Sequence, residues 1–439
     1  MLKTLVGAFK NKDIRKKVLY TLMILVIVRV GSLLPIPGVD TEYFSSLLSG
    51  INTGDLSYLS AFTGGSFERM SLFALSITPY ITSSIIMQLL AIAIPKLEEM
   101  QKEGEDGRKK IAAITRYVTI ALALIESIAM AVGFGRSGLI KGYQGFSTLH
   151  YIVSIIVVVA ALTAGSAMLM WLGERITENG VGNGISIVLL INIISGMPSD
   201  FATLYSTFVA PRTIAKGVLA AAIIIAILVA MVVLVCFLQD GERRIPVQYS
   251  QKVSGRKTFG GQSTNIPLKV NTAGVMPVIF ASSLMQFPVI IAQLFGKSYE
   301  WTRYLSSSYW CRISAPKYSI GLILYIVLLI IFAYFYTSIT FNPIEVADNL
   351  KKAGGVIPGI TPGKSTSDYL NNILNYIVFV GAVGLLIIAL IPIMCTGFFN
   401  ASVSFGGTSV IIIVGVVLET LKQIESQMVN RYYKGFLSE

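Results

Sequence analysis

Apolar residues in this chain come in long unbroken runs, and a helix needs about 20 such residues to cross a bilayer. Ten runs can be marked, at roughly 18–35, 71–94, 112–134, 148–171, 182–201, 213–238, 270–295, 318–340, 372–394 and 404–421. They lack the two-residue alternation of a membrane barrel strand. The predicted class is therefore all-α, a polytopic membrane protein with ten transmembrane helices.

Ten spans place both termini on one side. Of 35 Lys and Arg, 25 then fall on the terminal side, nine opposite, and Arg29 lies inside the first span. Basic residues accumulate on the cytoplasmic face, so both termini are expected there. The outer loop with Lys297, Arg303, Arg312 and Lys317 runs against this trend without reversing it. Composition agrees with a membrane protein: 13% charged residues against about 25% in soluble proteins, with mean hydropathy +0.71 and net charge +12. No cleavage site follows the basic start, so the first span is expected to stay. Cys236, Cys311 and Cys395 form no CxxC pair, and no disulfide is inferred.

Two sets of five spans flank the short segment Pro198 to Arg212, giving halves 1–205 and 206–439. An odd number per half inverts one half relative to the other, and inverted repeats place a pathway between them. Three cytoplasmic loops are long: Pro95–Tyr117, Glu242–Gly274 and Phe341–Leu370. In the second, Ile245, Val247 and Tyr249 alternate with polar residues before Ser254–Gly255 and Gly260–Gly261, which predicts a protruding β-hairpin. The third predicts a short helix after Asn342–Pro343, then Gly/Pro turns. On the opposite side, YLSAFTGGSFERM predicts a half-helix, roughly Leu56 to Met70, that dips into the membrane and turns at Gly64–Gly65. Irregular backbone at that depth is tolerated only against protein or a water-filled cavity.

Catalytic motifs are missing. Gly133-Phe-Gly135-Arg-Ser-Gly138 matches GxGxxG but follows a span, without a strand or crossover unit. Gly363-Lys364-Ser365 lacks the first glycine of a P-loop, because Pro358 occupies that position. His150 is the single histidine. Polar residues within spans are more informative. Glu126 lies mid-span, where a carboxyl usually faces a bundle interior or a pathway. Gln88 and Asn271 are candidate hydrogen-bond partners for a polar latch between helices that separate; a contact that only fixes helix packing is the plainer account.

The stretches RVGSLLPIPGVD (29–40), FALSITPYITSSIIMQLL (73–90), KEGEDGRKKIAAITRY (102–117) and MWLGERITENGVGNGISI (170–187) follow one another in the chain. GRKTFGGQSTNIPLKVNTAGVMPVIFASS (255–283), FNPIEVADNLKKAGGVIPGI (341–360) and SFGGTSVIIIVG (404–415) complete the series. Together they resemble the SecY/Sec61 family of protein-conducting channels, in its bacterial branch, over nearly the whole chain.

The resemblance implies two five-helix halves around an hourglass pore. Its waist is implied to be a ring of Ile77, Ile81, Ile185, Leu189, Ile279 and Ile412. A branched apolar constriction resists water and ions by dewetting. The re-entrant plug helix would include Phe62, Gly64, Gly65 and Phe67. A lateral gate would run along Thr82, Gln88, Glu126, Asn271, Ser283 and Phe287, opening toward membrane lipid. A signal sequence moving about ten apolar residues toward lipid gains about 0.8 kcal/mol per CH2, enough to offset seam hydrogen bonds of about 0.6 kcal/mol each.

The resemblance also implies partner subunits SecE and SecG, the SecA motor ATPase, the ribosome, and signal sequences with nascent or unfolded polypeptides as cargo. Arg243, Arg244, Lys252, Arg256, Lys257, Lys351, Lys352 and Thr361 would form the cytoplasmic docking platforms, the cations facing rRNA phosphate or acidic motor surfaces. Thr361 departs from the arginine usual before this Pro-Gly in bacterial relatives, and threonine lacks its bidentate reach. No cofactor or metal is implied, nor an enzyme. A secondary transporter for a small solute is the alternative class, since an inverted repeat and Glu126 also suit proton coupling, although an aliphatic waist disfavours a solute site. An intramembrane enzyme lacks paired catalytic groups.

Overall fold

The computed structural model describes residues 11–50, 63–134, 148–211, 214–249, 252–254, 257–259, 263–294, 300–311, 316–399 and 407–435. The molecule is mostly helical. Its first half contains α1 (Lys12–Leu33), α2 (Thr41–Gly50), α3 (Thr78–Ala93), α4 (Pro95–Lys102), α5 (Glu105–Phe134), α6 (Thr148–Asn179) and α7 (Gly184–Leu204), continued by a π-helical turn, Tyr205–Val209. The second half contains α8 (Ile214–Asp240), α9 (Met276–Leu294), α10 (Glu300–Leu305), α11 (Ile320–Thr340), α12 (Pro343–Lys352), α13 (Lys364–Phe399) and α14 (Gly407–Gly435).

Each of the ten expected spans contains one of these helices. Six helices among the described residues are long and apolar enough to cross a membrane, or seven if the pair α3–α4, bent by 107°, counts as one span. Charged residues inside α1, Lys12 to Lys17 and Arg29, keep it below that mark. The fold is otherwise built from neighbours: α3 packs on α5, α5 on α6 and α6 on α7, while α9 packs on α11 and α11 on α13. Contacts of α7 with α14, and of α9 with α5, join the two sets.

One expected element differs. The second span starts at Thr78 rather than 71, and residues 64–70 are turns rather than the end of a half-helix. Gly64 and Gly65 take φ of 62° and 79°, and Met70 and Ser76 take 43° and 53°, values incompatible with a right-handed helix. The expected plug residue Phe62 lies outside the described residues.

Segment 64–77 is nonetheless firmly seated. Ser71 bridges Pro35, Ile36 N–H donates to Met70 O (3.1 Å) and Leu72 N–H to Leu34 O (2.9 Å). Small residues on the surrounding helices make room for it. A Cβ on Gly31 would lie 2.1 Å from the Phe73 ring, and one on Gly165 would lie 1.9 Å from the Leu72 carbonyl oxygen.

The second long loop is the expected hairpin. β1 (Glu242–Tyr249) pairs antiparallel with β4 (Ser263–Lys269), matching Ile245 to Ile266 and Val247 to Thr264, with β2 (Lys252–Ser254) and β3 (Lys257–Phe259) paired at the tip. β5 (Gly355–Val356), from the third loop, adds to the free edge of β1, so both loops share one sheet of order β4-β1-β5. Its apolar face, Ile245, Val247 and Leu268, packs on Leu350, Ile357, Leu370 and Ile373.

Candidate functional site

Where the two halves meet, branched aliphatic side chains from four helices converge. Ile77 stands at the cap of α3, just before a helix whose second residue is Pro79, and Ile81 follows one turn later. Ile185 and Leu189 lie one turn apart on α7, whose first turn is capped by Asn183 Oδ1 accepting from the Ile185 N–H (3.2 Å). Ile279 comes from α9 and Ile412 from α14. All six belong to one apolar cluster: Ile77, Leu189, Ile279 and Ile412 are buried, and Ile81 and Ile185 are partly buried against them. None of them carries a polar atom, so the cluster offers neither a solute nor an ion a ligand.

Segment 64–77 adjoins this cluster through Phe73 and Leu72. Gly64 lies against α7: a Cβ there would stand 2.5 Å from Ser195 Oγ, 2.7 Å from Asn192 O and 3.1 Å from Arg29 Nη1. Only glycine fits that approach at φ of 62°. Ser76 Oγ accepts from Asn192 Nδ2 (3.1 Å), and Ser76 O accepts from Ser166 Oγ (3.4 Å). Gly65 is open to substitution sterically but also needs positive φ. Phe67 is buried, edge-on to Phe44 at 5.9 Å.

Along the expected seam, α3 and α5 face α9 and α11. Gln88 lies near the Tyr336 phenol of α11 and donates to Ser84 Oγ (3.3 Å). Phe280 of α9 stacks edge-on to Phe332 and Tyr336, each at 5.7 Å. Thr82, Glu126 and Ser283 are half-buried, and among the described residues Glu126 has no hydrogen-bond or ion-pair partner. Asn271 is buried with its Nδ2 unpartnered; its backbone lies beside Gly381 of α13, and the structure does not join it to Gln88. The side chain of Phe287 falls outside the described residues. Sequence reasoning missed Tyr336, whose signal was a phenol placed among the apolar residues of its span.

At the other end, Arg243 and Arg244 are exposed on β1, and Arg244 is paired to Glu242 at 2.6 Å. Lys351 and Lys352 are exposed in the last turn of α12, and Thr361 is exposed with its carbonyl accepting from Thr366 Oγ1 (3.0 Å). Lys252 and Lys257 lie on β2 and β3, their side chains outside the described residues, as is Arg256 altogether.

A family model described as SecY matches residues 71–421, four-fifths of the chain. The chain belongs to the SecY family. A curated relative, the protein translocase subunit SecY of Streptomyces galbus, is 44% identical, with all of both chains covered. Among solved structures, one described as a protein-conducting channel has a TM-score of 0.64 at 18% identity, covering 94% of this chain and 93% of that one. Sec61 in the canine ribosome–channel complex has a TM-score of 0.61 at 17% identity, covering 94% and 93%. At these identities the structures speak for the fold, and the family assignment rests on the sequence matches.

Proposed function

We propose that this chain is the central pore-forming subunit of a protein translocation channel. It passes unfolded secretory polypeptides across the membrane and releases transmembrane segments sideways into lipid. The observation that carries this reading is the single aliphatic cluster drawn from α3, α7, α9 and α14. Such a waist yields around any extended chain because it holds no group that selects one. The halves 1–205 and 206–439, as two inverted sets of five spans, act as a clamshell, and residues 64–70 belong to the plug, placed at roughly 56–70, that closes it. The lateral gate is the seam between α3 with α5 and α9 with α11. The approach of Gln88 to the Tyr336 phenol supports that reading, since a polar contact there crosses the seam and is cheap to break. Thr82, Glu126, Asn271, Ser283 and Phe287 remain its proposed remainder.

The shared sheet and α12 present Arg243, Arg244, Lys351 and Lys352 to water, which suits docking of a ribosome or a SecA motor on the cytoplasmic side. SecE and SecG are the proposed membrane partners, and the bacterial cell membrane the proposed location, with both termini cytoplasmic. The chain is no enzyme, so energy for transport comes from those partners or from a gradient.

A photo-crosslinking residue at Ile81, challenged with a stalled precursor bearing a signal sequence, is expected to give a precursor adduct that disappears when the signal is deleted. A folded channel that gives no adduct would remove Ile81 from the pathway. Thr361→Arg is expected to leave folding intact and to preserve or raise motor-driven transport, because position 361 is exposed and the hydrogen bond it accepts, from Thr366 Oγ1, goes to its backbone carbonyl, which arginine keeps. Loss of transport in a stable Thr361→Arg channel would count against this loop as a motor contact.

A further inference from the structure

The loop between α9 and α11 carries cations at the end of the molecule opposite the hairpin. It is separated from that hairpin by α11, whose 21 residues span about 30 Å. Arg303, on α10, and Lys317 both stand close to one phenol, that of Tyr318. The rings beneath them, Tyr309 under Arg303 and Tyr318 under Lys317, have centroids 5.9 Å apart, so the two cations share one patch. Glu300 lies near both cations without a close pair: it is 4.0 Å from Lys317 Nζ, and both of those side chains are largely in solvent. Like charges held this close attract an anion.

The pair is held by a rigid platform. Tyr318 is buried and stacks edge-on against Tyr304 (5.0 Å) and Tyr309 (5.9 Å). Arg303 lies over the Tyr309 ring and Lys317 over that of Tyr318. Trp310 Nε1 donates to Tyr304 O (2.8 Å), and both groups close over Gly321, where a Cβ would lie 1.6 Å from that oxygen. The side chains that follow on α11, Ile320, Ile323 and Leu324, are exposed and apolar. Cations above an exposed aliphatic helix face, with aromatic rings between, have the layout of a phospholipid: phosphate at the top, acyl chain beneath.

We propose that Arg303, Lys317 and the Tyr318 hydroxyl form a binding site for the phosphate of an anionic phospholipid, whose acyl chain runs along Ile320, Ile323 and Leu324. It is a site separate from the pore, the seam and the docking platforms.

The test is native mass spectrometry of the purified detergent-solubilised channel titrated with phosphatidylglycerol or phosphatidylcholine. The double variant Arg303→Gln/Lys317→Gln is expected to hold one phosphatidylglycerol fewer. Its affinity for that lipid should fall about 10- to 30-fold, from roughly five-fold per cation near a membrane surface. Tyr318→Phe keeps both charges and the ring but removes the hydroxyl beside them, and is expected to lose several-fold. Lys351→Gln/Lys352→Gln, at the far end, should bind like the parent. An unchanged thermal unfolding temperature shows each variant folded. Equal phosphatidylglycerol binding by the folded double variant would overturn the proposal, and so would Tyr318→Phe binding like the parent. Phosphatidylcholine bound as tightly, or lipid displaced by millimolar inorganic phosphate, would overturn it as a site for anionic lipid.

Discussion

A channel carrying Ile77→Asn together with Ile412→Asn is expected to conduct ions at rest at least about ten-fold above its parent, because a hydrated waist no longer gates by dewetting. Both isoleucines are about 1% exposed and they come from opposite halves of the molecule, so the pair changes both walls of one constriction. Asparagine is smaller than isoleucine, so lost volume widens the opening somewhat, in the same direction as the main effect. The main effect is polarity: a buried amide without partners costs about 1–3 kcal/mol in proteins, and water entering the cluster relieves it. The substitution Ile77→Leu with Ile412→Leu keeps the surface apolar and should keep the channel tight. Planar-bilayer current in the absence of precursor decides the matter. A silent, folded asparagine variant would mean that these side chains pack the two halves together without forming the barrier.

The second expected result concerns the seat of segment 64–77. Gly165→Val is expected to destabilise the purified channel by about 3 kcal/mol, combining overpacking with lost hydrogen bonds. The first added carbon would stand 1.9 Å from the Leu72 carbonyl oxygen, and a backbone atom cannot swing aside as a side-chain tip can. Leu72 must therefore move, which strains its N–H bond to Leu34 O and the neighbouring bridge of Ser71 to Pro35. Displacement would carry on to Phe73 and Ile77, so resting leak should rise alongside instability. Gly196→Ala is the control: nothing lies within 4 Å of a Cβ there, the residue is helical, and alanine should be neutral or stabilising by up to about 1 kcal/mol. Thermal unfolding that ranks the two variants equally would show that the segment is loosely held.

Much of this architecture is legible in the sequence because lipid imposes a simple rule: a long apolar run becomes a helix. That rule finds a helix at every marked span and fails at their ends. α13 begins at Lys364 rather than 372 and α14 continues to Gly435 rather than 421, since polar residues prolong a helix once it leaves the apolar layer. Residues 70–77 read as part of a span, but the backbone turns left-handed at Met70 and Ser76, and between them Phe73 and Leu72 fit against Gly31 and Gly165, some 40 and 90 residues away in the chain. The hairpin is legible from its alternation, whereas β5 is too short to announce itself and forms because β1 offers an edge. The six waist positions come from resemblance; their apolar chemistry alone equally describes any packed helix. Gln88 was visible as a polar residue in a span, but Tyr336 as its neighbour depends on how α3 and α11 lie.

That added strand has a mechanical consequence. β1 and β4 continue into α8 and α9, and β5 sits between α12 and α13. Because these strands hydrogen-bond into one sheet over a common apolar core, the two loops cannot be pushed separately. A load applied at the hairpin is shared among the helices rooted in it, among them α9 on the seam and, through α12, α11. The sheet thus takes up a load as one body, not as two independent loops.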